Sequence, residues 1–101
     1  MGNKRQKEIV DQVILLLQKT LRPKRIILFG SRAKGSHTRH ADFDFALDAS
    51  RPDISTEREI REKMEGIGGL YKFDLVFLDS IEEDFKRIII ETGKVIYEKR
   101  K

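Results

Sequence analysis

Asp42 and Asp44 stand two residues apart in the stretch DFDFALD, residues 42–48, and Asp74 follows in KFDLVFL, residues 72–78. On a strand, side chains at i and i+2 share a face, with Cα atoms about 7 Å apart from two rises of roughly 3.3 Å. Two carboxylates that close repel, and each resists ionising. A divalent cation reverses that balance. Hard ions such as Mg²⁺ take carboxylate oxygens together with water and phosphate oxygens, and a carboxylate pair can bridge two ions roughly 3.5–4 Å apart. Asp74 is set among Phe73, Leu75, Val76 and Phe77, where a charge needs a partner, so it is a candidate third ligand. The same acids also fit a plainer arrangement, with Asp42 and Asp44 solvated on an exposed sheet face and Asp74 capping a strand end.

Upstream lies LFGSRAKG, residues 28–35. A glycine directly after an apolar strand lets the backbone turn closely and expose N–H groups at the start of a short helix, where phosphate oxygens are favoured. Ser31 adds a hydroxyl donor, and Arg32 and Lys34 add positive charge. A simple strand-to-helix turn would also place glycine at residue 30. Two common phosphate loops are excluded: GSRAKGSH has the GxxxxG spacing of a Walker A loop without the Lys-Ser/Thr that must follow, and GxGxxG is missing. His37 and His40, with no further ligands nearby in sequence, read as solvated loop histidines, and Arg39 reads either as a surface cation or as a contact to phosphate or partner. Asp48 and Asp79 read as caps.

These residues need elements to position them. Ile9, Val10, Val13, Ile14, Leu17 and Leu21 recur at helical spacing and Pro23 stops the pattern, so a first helix ends near Leu21. RIILF, residues 25–29, predicts a buried strand. In the next strand Phe43, Phe45 and Leu47 alternate with Asp42, Asp44, Ala46 and Asp48, making one face core and the other acidic. Thr56 and Glu59 have capping-box spacing ahead of a helix to Ile67, ended by GIGG. Residues 72–78 predict a third strand. Ser80 and Glu83 repeat the capping-box spacing ahead of a helix that would bury Phe85, Ile88 and Ile89 and stop at Gly93, and KVIYE predicts a short edge strand. The class is α/β or α+β, helices packed on a small mixed sheet.

At 101 residues the expectation is a single domain over 1–101. Lys and Arg total 21 against 17 acids, a net charge of +4, which suits a polyanionic ligand. Nucleotide phosphate satisfies that sign, so direct nucleic-acid binding is not expected, and the tail EKRK reads as a solvated terminus. Without cysteine there are no disulfides, thiolate metal sites or cysteine nucleophiles. Apolar runs are too short for a membrane span and no leader pattern opens the chain, so a cytoplasmic location is expected.

Taken together, GSRAKGSHTRHADFD resembles the signature of the DNA-polymerase-β-like nucleotidyltransferase superfamily: Gly-Ser, ten residues, then Asp-x-Asp. The later FDLVFL and the short chain resemble its minimal nucleotidyltransferase (MNT) members, which are encoded beside HEPN-domain proteins. Ala41 departs from the serine often found before the first aspartate. The resemblance implies a nucleotidyltransferase fold in which Gly30 and Ser31, with Arg32 and Lys34, hold the triphosphate of ATP. It further implies that Asp42 and Asp44 bind two Mg²⁺ ions, with Mn²⁺ as a possible substitute, and that Asp74 binds the catalytic ion and helps activate the attacking hydroxyl. The implied activity is transfer of AMP to a hydroxyl of a HEPN-type toxin, a tyrosine near its ribonuclease motif, making this chain the antitoxin. Two other functions remain open: an antitoxin that binds nucleotide and neutralises its partner by complex formation alone, and a nucleotidyltransferase acting on a small molecule. Oligomeric state is left open.

Overall fold

The computed structural model describes residues 3–35 and 42–100, the side chains of Asn3 and Lys34 excepted. In chain order the elements are α1 (Asn3–Leu21), β1 (Arg25–Phe29), α2 (Ser31–Lys34), β2 (Phe43–Leu47), α3 (Ile54–Gly68), β3 (Phe73–Phe77), a 3₁₀ turn (Leu78–Ser80), α4 (Glu83–Thr92) and β4 (Lys94–Glu98). The four strands form one sheet in the order β3-β2-β1-β4, so β4 is an edge as expected. β1 pairs antiparallel with β2 and β4, while β2 and β3 run parallel across the α3 connection.

The sheet carries unequal layers. Ile9, Val13 and Leu17 of α1 and Ile60 and Met64 of α3 cover one face and bury Ile26, Leu28, Phe43, Phe45, Leu47, Leu75 and Phe77. The other face has a smaller core, in which Ile89 of α4 and Leu78 meet Ile27, Phe29 and Ala46. That second cluster corrects the reading of β2: Ala46 is fully buried, so the face shared with Asp44 is acidic only toward the start of the strand. α4 also differs from expectation. Ile89 is buried, but Phe85, one turn earlier on the same helix face with its ring edge-on to Phe29 at 5.9 Å, is still 39% exposed, and Ile88 is 56% exposed.

Both capping boxes are replaced by other caps. Asp53 caps α3, its carboxylate accepting from the Thr56 N–H at 3.2 Å, which puts Thr56 inside the first turn. Glu82 takes the cap position of α4, while Ser80 and Asp79 belong to the preceding 3₁₀ turn. Asp48, read as a cap, instead accepts from Arg25 Nε and Nη2, each at 3.2 Å.

β3 is held by α3 through one polar knot. Glu57 accepts from Arg51 Nε at 2.9 Å and from Arg61 Nη2 at 2.9 Å, and Arg61 Nη2 also donates to the Leu75 carbonyl at 2.9 Å. The Glu57 side chain is only 13% exposed. Hydrogen bonds from Arg51, and then from Arg61 against the opposing effect of burial, hold Glu57 below the ordinary carboxylate range. A depressed folded-state pKa contributes stability that is present above the unfolded value and lost as pH falls through the folded one. Glu57→Gln should therefore lower stability by about 1–2 kcal/mol at pH 7, with the difference from wild type shrinking below about pH 4. Urea unfolding at several pH values measures this; a deficit that persists unchanged at pH 3 would contradict it.

Candidate active site

The carboxylates are set by strand register. β2 and β3 align so that Asp44 is the direct partner of Asp74, and on the other side Phe29 of β1 is the partner of Asp44. Partners in register point to the same sheet face. Asp44 and Asp74 thus lie side by side on the face that carries α4, at the end where β1 stops and β2 and β3 begin. Asp42 is two residues ahead of Asp44, just outside β2, with an exposed side chain. Asp74 is also exposed, which corrects the expectation that its hydrophobic neighbours bury it: Leu75 and Phe77 point to the opposite, covered face.

Asp44 is half-buried, and burial pushes its pKa up, with the charges of Asp74 and then Asp42 adding in the same direction and Arg32 opposing them. The three acids therefore share one electrostatic site. Among the described residues no three Asp, Glu, His or Cys side chains close into a cage for a metal ion. Mg²⁺ does not require one, since it keeps waters and is held by one or two carboxylates plus substrate phosphates. Mutually repelling carboxylates, two of them open to solvent, fit that kind of hard-cation site.

Gly30 brings the phosphate-loop candidate against these acids. Its φ of 77° and ψ of −154° suit glycine, and a Cβ there would collide with Asp44 Oδ2. The close approach of the turn to the carboxylate thus requires residue 30 to have no side chain. Ser31 opens the short α2, which Gly35 closes in the left-handed conformation.

Arg32 was expected beside phosphate on charge alone, and the structure gives it a second contact. It is 8% exposed, with its guanidinium carbon 3.9 Å from the Phe43 ring centroid and 5.4 Å from that of Tyr71. Phe43 itself stacks on Phe73 at 5.6 Å and meets Tyr71 edge-on at 5.3 Å. The cation–π contact clamps α2 to the residue between Asp42 and Asp44. Burial lowers the pKa of Arg32, while Tyr71, Asp42 and Asp44 raise it. The Lys34 side chain, His37, Arg39, His40 and Ala41 lie outside the described residues.

The polymerase-β nucleotidyltransferase family model matches residues 11–101. The chain belongs to this family. Two curated relatives, both provisionally named protein adenylyltransferases, are similar over most of their length. MntA of Haemophilus influenzae is 30% identical over 87 residues, covering 85% of this chain and 76% of the relative. A protein of Methanocaldococcus jannaschii is 34% identical over 88 residues, covering 84% of this chain and 87% of the relative. Among solved structures, a chain from a toxin–antitoxin crystal structure with AMP-PNP superposes with a TM-score of 0.76 at 26% identity, covering 89% of this chain and 73% of that one. The fold is that of these nucleotidyltransferases, and the chain is a nucleotidyltransferase by family.

The raised pKa of Asp44 has a consequence for stability without metal. A carboxyl whose folded pKa exceeds its unfolded value binds more protons when folded, so stability falls as pH rises through that window. Asp44→Asn should remove this dependence and leave the metal-free protein as stable as wild type or slightly more so at pH 7. Thermal unfolding in chelator from pH 4 to pH 8 checks the sign; an Asn variant that unfolds at neutral pH would make Asp44 a structural residue.

Proposed function

We propose that this chain is a Mg²⁺-dependent nucleotidyltransferase that moves AMP from ATP to a hydroxyl of a partner HEPN-type toxin, as its antitoxin, in the cytoplasm. A single domain over residues 1–101 would suffice. The observation that carries the reading is the register of Asp44 with Asp74 beside Gly30, on an open face of the sheet. The names of the two curated relatives support adenylyl transfer to protein. The AMP-PNP complex of a toxin–antitoxin neighbour supports both nucleotide and partner.

In this reading Gly30 and the Ser31 hydroxyl donate to the triphosphate, and Arg32 and Lys34 supply positive charge nearby. Asp42 and Asp44 would hold both metal ions and Asp74 the catalytic one, Mg²⁺ or Mn²⁺. When bound, the ions would neutralise charge on the triphosphate and lower the pKa of the acceptor hydroxyl. The acceptor oxygen attacks the α-phosphorus in line, the bond to the β-phosphate oxygen breaks, and pyrophosphate leaves; Asp74 helps take the hydroxyl proton. Exposure of Asp42 and Asp74 leaves the carboxylate face accessible to a side chain presented by another protein. A tyrosine suits it by reach and by a phenolic pKa near 10 that falls readily beside a cation.

Incubation with Mg²⁺, ATP and the HEPN protein encoded alongside should add about 329 Da per AMP to the partner, read by intact mass spectrometry. Asp42→Asn or Asp44→Asn should slow the addition at least about a thousandfold, roughly 4 kcal/mol of barrier. If wild type and Asp44→Asn leave the partner equally unmodified yet both suppress its ribonuclease activity, complex formation alone is the function.

A further inference from the structure

The net charge of the chain is not spread over the fold. Folding brings Arg22 and Lys24, from the turn before β1, and Arg25, the first residue of β1, together with Lys99 and Arg100, which follow β4. The register pairs Arg25 with Glu98, and the Lys99 N–H donates to the Lys24 carbonyl at 2.9 Å. These five cations line two adjoining concavities of about 550 and 290 Å³ that share Lys99. The acids lining them are Asp48 and Glu98, and Asp48 is occupied by Arg25 at 3.2 Å. Five cations against two acids leave this end locally positive. It is the opposite end of the strands from Gly30 and Asp44, about 15 Å away along five-residue strands.

Two further features mark it. Arg22 follows α1 with φ 48°, a left-handed conformation that glycine or asparagine adopts at least strain, so an arginine stands where the backbone favours another residue. Tyr97, half-buried against the main core, lines the smaller concavity beside Arg22 and Lys99 and leaves part of its side chain open to it. Among the described residues no large exposed hydrophobic side chain lines either concavity: Leu15, Ile54, Leu70, Phe85, Ile88, Ile90 and Val95 all lie elsewhere. A protein partner needs an apolar centre with a polar rim, whereas a nucleic-acid surface is polar and basic, with aromatic rings for bases.

We propose that the Arg22, Lys24, Lys99 and Arg100 end of the sheet, with Tyr97, is a docking surface for single-stranded RNA, separate from the nucleotidyltransferase site. Lys99 and Arg100 then act with the turn before β1, a pairing that residues some 75 positions apart in sequence do not reveal. The surface reads backbone charge and base stacking, so it carries no sequence preference.

Fluorescence anisotropy with a labelled 20-nucleotide oligouridylate should show binding whose log-affinity falls with log salt at a slope of about −3, as expected for roughly four phosphates on a single strand. Lys24→Glu/Lys99→Glu/Arg100→Glu should weaken it at least tenfold and flatten the slope below about 1, with ATP binding and melting temperature unchanged. Lys4→Glu/Lys7→Glu/Lys63→Glu, an equal change in net charge elsewhere, should leave affinity within about twofold. Equal loss in both variants, retention of binding by the first, or displacement of the RNA by poly-glutamate as readily as by unlabelled oligouridylate would each overturn the proposal. Tighter binding of a 20-base-pair RNA duplex would overturn the single-stranded assignment.

Discussion

Burial of the side chains that alternate with Asp44 and Asp74 on neighbouring parallel strands is the constraint on which the site depends. Asp44 and Asp74 face each other in register because Phe43, Phe45, Leu75 and Phe77, the alternate residues of the same strands, are locked into the core behind them. A slip of one residue in either strand would turn the carboxylates into that core and expose the aromatic rings, so burial of the rings fixes the acids. The repulsion that results is local and modest, since Asp74 is exposed and Asp44 half-buried, whereas each aromatic ring buries enough area to contribute roughly 1.5–3 kcal/mol. Packing wins, and the strands stay in register with their charges unneutralised.

The remaining parts keep this end of the sheet shaped. Gly30 lets the chain pass against Asp44, Arg32 ties α2 to Phe43 between the two aspartates, and the Glu57 knot binds the carbonyl of Leu75, the residue after Asp74, to α3. Each contact fixes backbone next to a carboxylate rather than the carboxylate itself. The acids are thereby left open on one side, as groups must be if phosphates and water are to complete a coordination shell.

Much of this was legible in the sequence because it is local. Gly30 after RIILF, the period of two in DFDFALD and the strand around Asp74 depend on spacings of a few residues, and the family signature is one short stretch from Gly30 to Asp44. What was not legible depends on pairing across the chain. Nothing near Asp74 in sequence says that it partners Asp44, because parallel register is fixed through α3. The same holds for Arg32, whose charge suggests phosphate but whose burial follows from Phe43, eleven residues on. Phe85 and Ile88 carry a helical apolar stripe like that of α1, yet in α4 only Ile89 is buried, Phe85 reaching Phe29 with part of its ring exposed. At α3 the Asp53 carboxylate takes the capping role read for Thr56, whereas α4 begins at Glu83 after Glu82 with no side-chain cap, Ser80 being drawn into the 3₁₀ turn.

If the central claim holds, the cluster of Asp42, Asp44 and Asp74 is a divalent-cation site that recognises ATP only as its metal complex, since triphosphate and carboxylates repel without it. Calorimetric titration of ATP into the protein in Mg²⁺ and then in EDTA tests this most directly. The account predicts affinity at least about tenfold weaker in EDTA, with the difference abolished in Asp44→Asn. Equal affinity of wild type in both conditions would contradict it.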